Sequence, residues 1–169
     1  LLTPWAKHIG ARVIAVTSTE AKAEKARALG ADDVVVGYDD VAKKVRELTG
    51  GRGVDVVYDS VGKISMEASL SSLRPRGWFI SYGNASGAAD PIPPGRLAAG
   101  GSLVMTRPTL FNFTDTPESL ARASKRLFSL LESGVLTADI GQRFALKDAV
   151  EAHRALESGK TSGAILLMP

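Results

Sequence analysis

The chain has 169 residues, 44% hydrophobic and 23% charged, a composition that suits one globular domain with an apolar core and excludes a disordered tail. Lys and Arg total 21 and Asp and Glu 18, a formal net charge of +3 with no basic block, so nucleic acid is not an expected partner. The lack of cysteine, with only two histidines, removes disulfides, thiolate zinc sites and a cysteine nucleophile, and no metal site is expected. No secretory signal pattern occurs and no apolar run approaches the roughly 20 residues of a membrane span, so the expected location is cytoplasmic and no membrane partner is expected.

Residues 1–9 read as a helix already under way, stopped at Gly10, where a positive φ costs little. Residues 11–16 follow as a strand. Thr17, with Glu20 three residues on, forms a capping pattern before a helix over 21–29, closed by Gly30. Val34 to Val36 is a strand, Asp39 is placed to cap a helix over 40–48, and residues 54–58 form the next strand. A helix is expected over 64–73, a turn at Pro75-Arg76-Gly77, and a strand over 78–82. Gly83 to Gly100, crowded with glycine and proline, reads as a loop. A strand over 102–106, a long helix over 117–133, irregular or extended chain over 135–144, a helix over 148–156 and a strand over 164–167 complete the pattern. Strands alternating with helices of about ten residues imply parallel pairing through right-handed crossovers, and hence an α/β, Rossmann-like, doubly wound parallel sheet.

The glycine cluster Gly50-Gly51-Arg52-Gly53 invites a phosphate-loop reading, but its position refutes it. A dinucleotide loop follows a strand and opens a helix, whose free N–H groups hold the pyrophosphate. These glycines follow a helix and precede a strand, so they are a helix stop and a turn. The glycine-rich loop and the first, central strand of such a sheet are expected before Leu1, which makes the chain an N-terminally truncated domain on this reading.

Ligands of doubly wound sheets lie at the carboxyl ends of the strands. At the end of the first strand stand Thr17, Ser18 and Thr19, with Glu20 better used as a cap and Lys22 one turn into the helix. Hydroxyls and a cation there favour a 2′-phosphate, and so NADP over NAD. Tyr38 ends the next strand and can lie against the adenosine ribose or phosphate. Asp59-Ser60-Val61-Gly62 and Tyr82-Gly83-Asn84-Ala85-Ser86-Gly87 lie at the same edge, where glycine lets a flat ring approach the backbone and Asn84 can bond a carboxamide or ribose. No Ser/His/Asp grouping stands out, and His8 and His153 fall in helical stretches. A cofactor site without a catalytic base suits hydride transfer, because the cofactor carries the chemistry.

Trp5-Ala6-Lys7, the run from Leu48 to Gly62, Gly83-Asn84-Ala85-Ser86-Gly87, Gly101-Ser102-Leu103, Thr106-Arg107-Pro108 and the run from Ala152 to Ser158 together resemble the NADPH-dependent quinone oxidoreductases. These are zinc-free, zeta-crystallin-like members of the medium-chain dehydrogenase/reductase superfamily. The resemblance covers essentially the whole chain. It implies an NADP-binding Rossmann-like domain over 1–169, a GroES-like catalytic domain absent apart from a return segment near 142–169, and an isolated chain that is inactive. It places 2′-phosphate contacts at Ser18, Lys22 and Tyr38, and nicotinamide-side and ribose contacts at Ser60, Val61, Gly62, Tyr82, Gly83 and Asn84. Thr106, Arg107 and Pro108 fall where a strand meets the cofactor cleft and the dimer interface. Family members often carry an arginine after the position of Ser158; here Gly159 and then Lys160 stand there, a departure that puts that contact in question.

The resemblance implies NADPH as cofactor, a quinone or related small electrophile as hydride acceptor, and a homodimer formed through the edge of the strand over 102–106. Two other readings stay open. One is a non-catalytic NADP(H)-binding or sensor module. The other is an enoyl or alkenal double-bond reductase of the same superfamily.

Overall fold

The computed structural model describes residues 1–159 and 161–169. Its strands are β1 (Ile14–Thr17), β2 (Asp33–Val36), β3 (Val54–Asp59), β4 (Leu73–Ser81), β5 (Val104–Thr106), β6 (Ile140–Ala145) and β7 (Ala164–Met168). Its α-helices are α1 (Leu2–His8), α2 (Glu20–Ala28), α3 (Val41–Leu48), α4 (Met66–Ser72), α5 (Pro94–Ala99), α6 (Pro117–Glu132) and α7 (Ala149–Glu157). The valine-rich runs of β2 and β3 become strands because branched side chains pack well on a pleated surface.

Every strand pair is parallel: β1 with β2, β3 with β4, β4 with β5, and β6 with β7. Parallel neighbours need a crossover, supplied by α2, α4, α5 and α7 respectively. The result is the Rossmann-like α/β fold expected. Its sheet is divided, however, into β1-β2, β3-β4-β5 and β6-β7, so that β1 and β3 each keep one unpaired edge among the described residues.

Two apolar clusters hold the layers. Val35, Val41 and Val45 are buried with Ile14, Leu48, Val54 and Ala68 against them. The spacing of Val41, Val45 and Leu48 puts all three on one face of α3. Leu70, Leu73, Phe79 and Leu103 form the second cluster, joined by Val57, Met66, Ile92, Leu97 and again Val54. Val54 at the start of β3 thus belongs to both clusters and ties β1-β2 to β3-β4-β5.

Several local expectations are corrected. The cap of α2 is Thr19, whose hydroxyl accepts from Lys22 N at 3.4 Å, while Thr17 Oγ1 donates to the Thr19 carbonyl at 3.2 Å. Glu20 is no cap; it pairs with Arg27 at 2.7 Å. The residue before α3 is Asp40, at φ +57° and without a side-chain cap bond, so Asp39 does not serve. Pro75-Arg76-Gly77 is not a turn between elements but an irregularity inside β4: Val54 pairs with Leu73 and Val56 with Trp78. Arg76 takes φ +60° there and its N–H reaches the Gly101 carbonyl at 2.7 Å. The loop over 83–100 contains α5, started by Pro94 in its first turn, where proline's missing N–H has no consequence. The chain over 135–144 ends in β6.

The glycine cluster does what its position implies. Gly50, Gly51 and Gly53 have φ of +61°, +85° and +83°, stopping α3 and turning into β3. Arg46 braces this turn by donating to the carbonyls of Gly51, Arg52, Ser71 and Leu73 at 2.7 to 3.2 Å. No helix among the described residues is long and apolar enough to cross a membrane.

Candidate functional site

The sequence-derived candidates fall just beyond the carboxyl ends of β1, β2, β3, β4 and β5, or at the last residue of β5 in the case of Thr106. At the β1 tip, Lys22 Nζ donates to Ser18 Oγ and to the Gly159 carbonyl, each at 3.4 Å. Glu20, the nearest acid in sequence, is drawn off to Arg27, which also pairs with Glu24. A cation beside a hydroxyl has the chemistry of a donor set for a phosphate monoester. Beyond β2, Gly37 N donates to the Thr17 carbonyl at 2.8 Å and ties the two strand ends together. Tyr38, the next residue, is half-buried and makes no side-chain hydrogen bond among the described residues, so it is not joined to the pair of Ser18 and Lys22.

The β3 and β4 tips are built differently. Ala85 N donates to the Ser60 carbonyl at 3.1 Å, Ser86 N to the Val61 carbonyl at 2.7 Å, and Lys63 N to the Gly87 carbonyl at 3.2 Å. Ser86 Oγ adds a bond to the Val61 carbonyl at 2.7 Å and accepts from Ile64 N at 3.1 Å. The two loops therefore form one hydrogen-bonded ledge. Glycine is required in it. A methyl on Gly62, at φ +88°, would sit 2.7 Å from the Gly87 carbonyl oxygen, and one on Gly83 would overlap the Ser60 carbonyl and lie 2.8 Å from its Cα.

Asp59, the last residue of β3, lies beneath this ledge at 4% exposure, so its side chain points inward and does not face a ligand. Its carboxylate accepts from Val61 N at 2.8 Å, Gly62 N at 3.0 Å, Ser65 Oγ at 2.8 and 2.9 Å, and Ser69 Oγ at 2.7 Å. Burial works against its charge, but the bonds from Ser69, Gly62, Ser65 and Val61 outweigh burial and hold the carboxyl below its ordinary value. The sequence did not reveal Ser65, Ser69 or Ser86 as supports. Ser65 and Ser69 are four residues apart and so share one helical face, the sequence signal that could have found them.

Between the β3-β4 ends and β5, Tyr82 and Pro108 come together with Tyr58, Ile80 and Leu2 around a cavity of about 280 Å³. Tyr82 itself is half exposed. Thr106 ends β5, and Arg107 and Asn84 are exposed, the Arg107 guanidinium having no partner among the described residues. The structure joins Ser18 to Lys22, residues 60–62 to residues 83–87, and Tyr82 to Pro108. It makes no direct bond between the β1 tip and the β3-β4 ledge. His8 and His153 are exposed on α1 and α7, away from any acid–nucleophile arrangement. Lys160 lies outside the described residues.

A cation–hydroxyl pair, a glycine-edged ledge and an apolar recess along the strand ends of a Rossmann-like sheet are the features of a dinucleotide-binding class of domain. The chain belongs to the zinc-binding dehydrogenase family, whose model matches residues 1–125. It is 45% identical over 171 residues to a 2-haloacrylate reductase of Burkholderia sp, covering 100% of this chain and 51% of that protein. It is 46% identical over 168 residues to a quinone oxidoreductase of Salmonella typhimurium, covering 98% of this chain and 51% of that protein. The structure of Escherichia coli quinone oxidoreductase complexed with NADPH superposes with a TM-score of 0.93 at 44% identity, over 99% of this chain and 52% of that one. The chain thus spans about half the length of the curated relatives it matches.

Zinc does not fit the residues in hand, despite the family's name. Among the described residues no three His, Cys, Asp or Glu side chains group as a metal site, and no step is assigned to a metal here.

Proposed function

We propose that residues 1–169 are the NADP-binding, Rossmann-like domain of an oxidoreductase that reduces a quinone or a related small electrophile, with residues 142–169 returning towards a separate catalytic domain. The observation that carries this reading is Lys22 Nζ beside Ser18 Oγ at the β1 tip, with Glu20 drawn off to Arg27. NADPH supplies, when bound, a hydride from C4 of its nicotinamide. Ser18, Lys22 and Tyr38 take the adenosine 2′-phosphate end. Ser60, Val61, Gly62 and Gly83 present the faces of their peptide planes to the ribose and nicotinamide, Asn84 its carboxamide, and Tyr82 bounds the recess beside them. Thr106, Arg107 and Pro108 close the cleft at β5. The chain's own task is to bind, orient and shield, since it presents no acid–base pair at the strand ends.

Likeness to a quinone oxidoreductase complexed with NADPH supports both the cofactor and the acceptor class. Likeness to a 2-haloacrylate reductase favours a second reading, in which the acceptor is an activated carbon–carbon double bond. Hydride transfer to quinones and to electron-poor alkenes, compared in the full-length protein, separates the two. NADPH binding without turnover of either would instead support a sensor module. The cofactor assignment is tested by Lys22→Ala, in which NADPH affinity falls and NADH affinity does not; equal change for both would remove the 2′-phosphate role.

Dimerisation through β5 is part of the same proposal. Among the described residues this strand is paired only with β4, and Val104 and Met105 are 37% and 38% exposed. A free strand edge with apolar side chains is suited to pairing with a second copy across a two-fold axis. The free edges of β1 and β3 likewise support a further strand between them.

A further inference from the structure

We propose that Asp59 is a positioning residue, a buried carboxylate that fixes the two peptide units between Ser60 and Gly62 in the orientation in which they meet the nicotinamide end of the cofactor. The inference rests on the NADPH reading above and adds to it a residue that does not itself touch the cofactor.

The geometry is specific to these two peptides. In the unit joining Ser60 to Val61, the N–H points to Asp59 at 2.8 Å and the carbonyl accepts from Ala85 N at 3.1 Å. In the unit joining Val61 to Gly62, the N–H points to Asp59 at 3.0 Å and the carbonyl accepts from Ser86 N and Ser86 Oγ, both at 2.7 Å. Each plane is held at both of its ends and cannot rotate without losing a bond on each side. A carboxylate suits the inner side because it only accepts, so every donor around it must point inward.

The anchor has no counter-ion. Among the described residues no Lys, Arg or His pairs with Asp59; its partners are two backbone N–H groups and the hydroxyls of Ser65 and Ser69. A buried charge neutralised only by hydrogen bonds is costly to build. A simple loop support would be met by a neutral side chain. The charge gives shorter, stronger bonds to the two N–H groups, and these belong to the ledge assigned to the nicotinamide and ribose.

The test uses the full-length protein, with NADPH and adenosine 2′-monophosphate as separate ligands. The monophosphate reports only on the β1 tip, about Ser18 and Lys22. Asp59→Ala is expected to weaken NADPH roughly tenfold, the loss of hydrogen bonds to a charged partner, and to leave adenosine 2′-monophosphate affinity unchanged. Asp59→Asn, whose carboxamide oxygen can still accept from Val61 and Gly62 while its NH₂ faces the rotatable hydroxyls of Ser65 and Ser69, is expected to recover only part of the loss, because its neutral oxygen makes weaker bonds to the two N–H groups; full recovery would show that the charge is not needed and overturn the proposal. Parallel weakening of both ligands would reduce Asp59 to a folding role and overturn the proposal, as would wild-type affinity for NADPH in Asp59→Ala. In that last case the cofactor reading stands. Failure of the wild type to bind NADPH removes the cofactor reading and this inference with it. If Asp59→Ala does not fold, Ser86→Ala removes one of the two bonds at the outer end of the second peptide unit, leaving that from Ser86 N, and is expected to show the same selective loss, smaller in size; no selectivity there overturns the proposal.

Discussion

The two ends of the candidate site hold their shape by opposite means. At the β1 tip, Ser18 and Lys22 are side chains joined by a single 3.4 Å contact, and Ser18 is exposed. At the β3-β4 ledge, the groups assigned to the ligand are main-chain atoms, locked between a buried carboxylate and a neighbouring loop. A charged phosphate can be recognised by mobile side chains, since Coulomb attraction tolerates error in position. A flat ring that must offer one carbon to an acceptor needs a surface set in advance. Substitutions at the ledge should therefore act through structure, and substitutions of Ser18 and Lys22 at the β1 tip through ligand choice.

The largest effect is expected from Gly62→Ala. It puts a methyl 2.7 Å from the Gly87 carbonyl oxygen at φ +88°, and left-handed strain with overpacking should cost about 2 to 4 kcal/mol. Urea unfolding of the full-length protein measures it; an unchanged midpoint would show that the ledge is not rigid. Lys22→Ala comes next, with a ten- to hundredfold loss of NADPH affinity, or about 1.5 to 3 kcal/mol, and a melting temperature close to wild type. A large drop in melting temperature would contradict the contrast between the two ends.

The third prediction concerns acid. Because Asp59 titrates below its ordinary value of 3.8 when folded, its stabilisation is complete above that value and is lost as pH falls through the lower folded value. Stability of the wild type should fall more steeply below about pH 4 than that of Asp59→Asn, while Lys22→Ala should follow the wild type; parallel curves for all three would leave the buried charge without effect. The smallest change is expected for Thr19→Ala, which removes the cap of α2 at the β1 tip and should cost about 1 kcal/mol. Thermal unfolding checks it. Beyond this contrast, Met105→Glu should shift the oligomer towards monomer in sedimentation if β5 pairs with a second copy.

The strand ends were readable because hydrophobic runs and glycines punctuate the chain: Val34 to Val36, Val54 to Tyr58 and the turn at Gly50 to Gly53 all stand where the pattern put them. What resisted reading were choices settled by tertiary contacts. The spacing of Glu20 favours Thr17 as the cap on paper, and only the end of β1 gives the role to Thr19. The segment Pro75-Arg76-Gly77 has turn chemistry, yet Arg76 is pinned to Gly101 across the fold and stays within β4. Helix α5 was hidden by the prolines and glycine around its start. Asp59 showed its place at a strand end but not its inward turn, since Ser65 and Ser69 reach it only once the loop has folded back.

One feature of the ledge bears on how such a site can change over generations. The bonds that join its two loops at Ser60, Val61 and Ala85 use their main-chain atoms and none of their side chains. Side-chain identity at positions 60, 61 and 85 is therefore uncoupled from the shape of the ledge, whereas Asp59, Gly62, Gly83 and Ser86 encode it. On the proposed reading, a lineage can rewrite the first three to suit a new ligand while the shape of the ledge is inherited intact.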